Sequence, residues 1–208
     1  MTEDFDRLAH QMRNPVMVIR TLAKLMAKSL AERDPNRPLL AAIDRECRRL
    51  DSLLDGDFAD LVCTNVDLSE LIANLLPSFQ VLAERQGIQF STQFLDQPHV
   101  QADERALAEV LANLLDNAFK YTKSQVTLSV KTEMNTCKIS ICDDGSGIAE
   151  TELARIFDPY YRGSEVHGVP GQGLGLAIAR DLVVAMDGTL IAQNLSPGSC
   201  FIVTLPLS

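Results

Sequence analysis

Along residues 8–54 the apolar positions recur at spacings of three and four. Leu8, Met12, Pro15, Ile19, Leu22 and Met26 form one stripe, and Ile43, Cys47, Leu50 and Leu54 repeat it, so each set lines one side of a helix in the manner of a coiled-coil or bundle seam. Between them Asp34-Pro-Asn-Arg-Pro38 is a turn, because prolines lack an amide donor and cannot continue a helix. The pattern predicts a helical hairpin over residues 1–63. Two helices alone bury too little apolar surface to stand, so the hairpin is expected to pair with a second copy as a four-helix bundle, which makes the chain a homodimer.

From Asn65 the texture changes, and residues 64–208 read as a second domain. Val66-Asp-Leu-Ser-Glu opens a helix with polar capping residues. Alternation and β-branched content predict strands at 88–94, 126–131, 137–142, 189–193 and 200–205, the last two around the turn Ser196-Pro-Gly. Residues 151–157 and 174–186 carry helical spacing. Strands and helices mix without a regular βαβ alternation, which predicts an α/β sandwich: helices on one face of a largely antiparallel sheet.

Composition narrows the classes. The 208 residues, 46% of them hydrophobic, suffice for one sizeable core and a smaller second unit. A net charge of −9 is repelled by nucleic-acid phosphates and anionic lipid, which excludes both as expected partners and favours basic protein surfaces. Five cysteines, Cys47, Cys63, Cys137, Cys142 and Cys200, are scattered and never spaced C-x-x-C. They read as small buried residues in a reducing cytoplasm, not as a disulfide framework or zinc site. No apolar run reaches a membrane span, since Arg180 and Asp181 interrupt the most apolar helix, and the start lacks a signal-peptide pattern. A cytoplasmic chain without membrane contact of its own is expected, read as a catalytic core cut from a longer parent that could itself be membrane-anchored.

Three segments carry chemistry. Asn113 and Asn117 are four apart, on the helical face that also holds Lys120. An amide oxygen is a hard ligand suited to Mg²⁺ and Lys meets phosphate as a point charge, although the same face could be the polar side of an ordinary amphipathic helix. Asp143 ends a strand, and the turn Gly145-Ser-Gly147 lets backbone approach a ligand while the carboxylate accepts a hydrogen bond from an adenine amino group; a plain tight turn is the alternative. Gly171-Gln-Gly-Leu-Gly175-Leu176 precedes a helix, whose N-terminal amides would hold phosphates. Neither a P-loop nor a dinucleotide-binding fingerprint occurs. Upstream, His10 lies off the apolar stripe, and Pro15 within the same helix is expected to bend it beside the histidine.

In this order the segments resemble the boxes of the sensor histidine kinases of two-component systems. His10-Gln-Met-Arg-Asn-Pro15 is similar to their phosphoacceptor box, 113–121 to the N box, 143–148 to the first glycine box, Ile156-Phe-Asp-Pro-Tyr-Tyr-Arg162 to the F box and 171–176 to the second glycine box. The resemblance extends from about Asp6 to Pro206. It implies a dimerisation and histidine-phosphotransfer hairpin joined to a Bergerat-type ATP-binding domain. Asp143 would then contact adenine, with Gly145, Gly147 and Ile148 shaping its turn and Tyr121 near the base. Asn117 would hold Mg²⁺ with Asn113 beside it, while Lys120 and the turn of Gly171, Gly173, Leu174, Gly175 and Leu176 would meet the phosphates. Residues 158–169, with Arg162 and His167, would form a lid; His167 reads as a lid surface residue and His99 as a loop residue. In gyrase-like relatives of this fold a water-activating glutamate stands where Asn113 is, so its absence implies transfer to His10 with little hydrolysis. The phosphoryl group would pass on to an aspartate of a response-regulator receiver domain.

The chain departs from the family at Gln11, where most members carry a carboxylate held to act as general base on the histidine. An amide can orient the ring but cannot take its proton. Asn14 stands where members place Thr or Asn to position a water for dephosphorylating the regulator. Two other classes remain open. An anti-sigma-type serine kinase shares the segments from Asn65 onward and leaves the His10 hairpin unexplained, and a Bergerat-type scaffold binds ATP with weak or absent kinase activity.

Overall fold

The computed structural model describes residues 2–31, 34, 36–37, 39–40, 43, 47, 61–94, 96–163 and 173–208, with residues 2–14 as backbone. The chain divides into two compact units, Met1–Asp60 and Leu61–Ser208.

In the first unit α1 (Thr2–Ser29) runs through Pro15 as one helix. The Asx turn forms as its sequence dictates: Asn36 N–H donates to Asp34 Oδ1 at 2.8 Å, and the backbone of Arg37 closes onto the Asp34 carbonyl. Helix resumes at 37, 39, 40, 43 and 47, and Arg37 Nη2 donates to the Ala27 carbonyl at 3.1 Å, tying the return to α1. Among the described residues, burial within the hairpin falls on Val16, Ala23, Leu40 and Cys47, pairs seven apart on each side, the spacing of knobs in a shared seam. Of the stripe read from sequence, Pro15, Ile19, Leu22, Met26 and Ile43 lie exposed in the single chain, with Val18 and Leu25 beside them. The hairpin therefore has two apolar faces, one internal and one open. Leu50 and Leu54 lie outside the described residues, as do the side chains of Leu8 and Met12.

The second unit runs β1 (Thr64–Asp67), α2 (Leu68–Gln86), β2 (Gln89–Phe94), β3 (His99–Ala102), α3 (Glu104–Tyr121), β4 (Gln125–Glu133), β5 (Thr136–Asp143), α4 (Gly175–Ala185), β6 (Thr189–Asn194) and β7 (Ser199–Pro206). Five strands form one sheet in the order β2-β4-β5-β7-β6, antiparallel except for the β2–β4 pair. Val126, Leu128 and Val130 of β4, Ile139 and Ile141 of β5, and Phe201, Val203 and Leu205 of β7 are buried. Their intervening neighbours Thr127, Ser129, Ser140 and Thr204 are half-exposed, so one face of the sheet takes the helices. Against it pack Leu107, Val110, Leu111, Leu114 and Leu115 of α3 and Ile178, Leu182 and Val183 of α4. Phe119 stacks on Phe79 of α2 and meets Phe90 of β2 edge-on, at centroid distances of 5.7 and 5.3 Å.

Three expectations are corrected. Residues 151–157 form successive turns, not a helix: only Leu153 and Ile156 make i→i−4 bonds, between i→i−3 closures. A seven-residue run with Pro159 just beyond it is too short to propagate helix. His99 opens β3, which pairs antiparallel with β1 in a separate two-stranded sheet. Cys142 and Cys200 are joined by a disulfide. They are register partners on β5 and β7, so strand pairing faces them across the ladder despite 58 residues of separation. Cys63 and Cys137 keep free thiols. Among the described residues no helix is long and apolar enough to cross a membrane.

Candidate nucleotide site

Helix α3 supplies the first wall. It starts where Asp103 accepts from the amides of Arg105 and Ala106 at 3.0 and 2.9 Å, a side-chain cap that fixes its first turn. With Leu111, Leu114, Leu115 and Ala118 committed to the core, the helical period turns Asn113 and Asn117 half out and leaves Lys120 and Tyr121 exposed at the last turn.

Helix α4 forms the second wall. A Cβ on Gly175 would stand 3.5 Å from Asn113 Oδ1, so the first turn of α4 lies directly against the asparagine. Helices α2 and α3 each open on an aspartate cap, whereas α4 opens on Leu174 with no side-chain cap. Its first amides are not met by a capping side chain, the arrangement that receives phosphate at a helix start. Leu174 is buried and anchors the turn, and Leu176 is half-buried one step into the helix. Gly173 has φ +74°, and a Cβ there would come within 2.8 Å of the Tyr160 carbonyl carbon. Only glycine fits so close to the backbone of the turns at 160–161. Those turns are pinned by buried Phe157 and by the Arg155 guanidinium 4.5 Å from the centroid of the Tyr161 ring. Arg162 follows, close enough for its charge to act on Tyr121, whose hydroxyl burial pushes up while Arg162 pulls it down. Gly171 and His167 lie outside the described residues, as do the side chains of His10, Gln11 and Asn14 on α1.

The floor is the end of β5. Asp143, 6% exposed, carries a buried side chain whose oxygens need hydrogen-bond donors in place of water. Gly145 N–H donates to its Oδ1 at 2.8 Å and the Ser199 hydroxyl to its Oδ2 at 2.6 Å. A Cβ on Gly145 would collide with the Tyr121 carbonyl, so the glycine lets the β5 turn seat on the end of α3. Gly147 takes φ +80°, and Asn194 fixes the next residue on both sides: its Oδ1 accepts from Ile148 N–H at 2.8 Å and its Nδ2 donates to the Ile148 carbonyl at 2.6 Å. The structure thus joins Asn113, Asn117, Lys120, Tyr121, Asp143, Gly145, Gly147, Ile148, Arg162, Gly173, Leu174, Gly175 and Leu176 around the meeting of α3, β5 and α4. Ser199 and Asn194 escaped sequence reasoning. The signal for Ser199 was register: it stands one step beyond the Cys142–Cys200 pair, opposite Asp143.

Comparison with known proteins settles the family. A model described as histidine kinase-, DNA gyrase B- and HSP90-like ATPase matches residues 102–208, and a His Kinase A (phospho-acceptor) domain model matches residues 5–61. The chain belongs to the histidine kinases. Its family assigns ATP as the nucleotide of the second unit. Similar proteins include the sensor histidine kinase Hik2 of Thermosynechococcus vestitus, 38% identical over 86% of this chain and 51% of Hik2. The sensor protein RprX of Bacteroides fragilis is 31% identical over 100% of this chain and 44% of RprX. The histidine kinase chain thus spans about half the length of the curated relatives it matches. Among solved structures it is similar to the mycobacterial sensor histidine kinase MprB, with a TM-score of 0.63 and 28% identity over 69% of this chain and 98% of that one. Full-length ShkA in complex with AMPPNP gives a TM-score of 0.70 and 27% identity over 99% of this chain and 46% of that one.

Proposed function

We propose that this chain is the catalytic core of an ATP-dependent protein-histidine kinase that phosphorylates its own His10 and passes the phosphoryl group to an aspartate on a response-regulator receiver domain. The observation that carries the reading is the convergence of a buried, doubly hydrogen-bonded Asp143 with the polar face of α3 and the uncapped start of α4. Asp143 accepts the adenine amino group, Tyr121 flanks the base, and Lys120 and the first turn of α4 meet the phosphates. The donor set fits Mg²⁺: Asn117 offers a hard amide oxygen on the face beside Asn113, and the ion commonly takes one or two protein ligands with substrate phosphates supplying the rest. When bound, the ion offsets the phosphate charge. The γ-phosphoryl group of ATP passes in line to a ring nitrogen of His10 with ADP as the leaving group, and Asn14 orients a water for a separate reaction, hydrolysis of the regulator's aspartyl phosphate to inorganic phosphate. The open apolar face of α1, with Val18, Ile19, Leu22, Leu25 and Met26 each half or more exposed, supports a homodimer built on a second hairpin.

The test is chemical. With γ-labelled ATP and Mg²⁺ the chain should take up label that is acid-labile and alkali-stable, and an added receiver domain should drain it. Acid-stable label, or none, overturns the reading.

A further inference from the structure

Asp144 lies beside the pocket without lining it, yet its side chain accepts five hydrogen bonds. Its Oδ1 lies 2.6 Å from the Thr122 hydroxyl and accepts the amides of Lys123, Ser124 and Gln125 at 2.9, 2.9 and 3.0 Å. Its Oδ2 accepts the Ser124 hydroxyl at 2.6 Å. All five donors come from the four residues that follow Tyr121, the last residue of α3. Asp144 itself sits between Asp143 and Gly145, the residue packed on the Tyr121 carbonyl. One carboxylate therefore bolts the end of the helix bearing Asn117, Lys120 and Tyr121 to the turn bearing Asp143.

We propose that Asp144 is a positioning residue for the nucleotide: it sets the span between the base contact at Asp143 and the phosphate and cation contacts on α3. The proposal rests on the pocket assignment above. Donors at Ser124 and Thr122 hold the Asp144 carboxyl well below the ordinary carboxylate range, so the clamp stays charged at any working pH. A ligand that touches both walls binds only as well as their spacing is kept, and misplacement by a fraction of an ångström is felt at both ends. Loss of the clamp should therefore appear in nucleotide affinity more than in the rate at saturation.

The experiment measures ATP affinity by calorimetry, the KM for ATP, the saturated autophosphorylation rate and the melting temperature for wild type, Asp144→Ala, Thr122→Val and Thr122→Ser, with Asp143→Ala as a control. Asp144→Ala should raise Kd and KM about tenfold or more, the scale of a lost bond to a charged group, with a much smaller fall in the saturated rate. Thr122→Val should weaken binding several-fold and Thr122→Ser, which keeps the hydroxyl, should not. A lower melting temperature with wild-type affinity in both Asp144→Ala and Thr122→Val would make the clamp merely structural and overturn the proposal. If Asp144→Ala does not fold, the Thr122 pair decides alone: equal affinities overturn it. Wild-type binding by Asp143→Ala would instead overturn the pocket itself.

Discussion

Replacing Ser199 by alanine isolates the floor of the nucleotide pocket. The hydroxyl donates at 2.6 Å to Asp143 Oδ2, and Asp143 and Ser199 are 6% and 5% exposed. Nothing else changes, since alanine keeps the Cβ and the strand. A hydrogen bond to a charged group contributes ~1.5 to 3 kcal/mol, and the low end applies where water can reach the freed oxygen. Asp143 retains its bond from Gly145 N–H, so the carboxylate stays in place but loses the donor that fixes its rotation. Folding stability should fall by about 1.5 kcal/mol, because the bond is already made in the nucleotide-free chain, and ATP affinity should fall by up to about tenfold, because a carboxylate that turns away also weakens its own bond to the base. Urea unfolding of the nucleotide-free chain gives the first number and titration calorimetry the second. Ser199→Thr keeps the hydroxyl and should remain within a few-fold of wild type. Unchanged ATP affinity in Ser199→Ala would refute the view that this bond orients the base-contacting carboxylate.

Further outcomes follow from other parts of the structure. Reducing Cys142–Cys200 opens a loop with a sequence separation of 58, so in the chain-entropy picture the reduced chain should be less stable by about 4 kcal/mol in urea; coincident unfolding curves would contradict the link. Asp144, Asp96 and Glu133 are all held below ordinary carboxylate values, through Ser124 and Thr122, through Thr132, and through Lys138 and Lys131 respectively. Groups depressed in the folded state stabilise it above their unfolded values near 4 and lose that contribution as pH falls through the folded ones. Stability should therefore hold from neutrality to about pH 5 and decline below about pH 4, and a flat profile down to pH 3 would refute the assignment. Gln11→Glu should accelerate autophosphorylation at saturating ATP, since general-base assistance is typically worth ~10² to 10⁴ in rate; equal single-turnover rates would show that Gln11 is no handicap.

How much was legible depended on how local the cause was. The alternation of Val126, Leu128 and Val130, and of Ile139 and Ile141, announces strands that bury one face, and both ladders form. The i, i+4 spacing of Asn113 and Asn117 by itself places them on one helical face, and α3 carries both there. What failed was non-local or marginal. β1 and β3 are four residues each and are defined by pairing with each other, which no window of sequence contains. The Cys142–Cys200 link and the Ser199–Asp143 bond are consequences of one strand register, invisible as spacing. The stripe at Ile19, Leu22 and Met26 is helical, but among the described residues of α1 burial falls on Val16 and Ala23, because a helix with two apolar faces offers periodicity for both. At 151–157 helical spacing was present without the length to nucleate, and Phe157 serves as an anchor for turns.

In the proposed reaction ATP bound in the second unit phosphorylates His10 in the first. Wild type and His10→Gln should be incubated with γ-labelled ATP and Mg²⁺ while their ATP affinities are measured in parallel. Equal affinities with label confined to wild type are expected. Acid-labile label that persists in His10→Gln would contradict it.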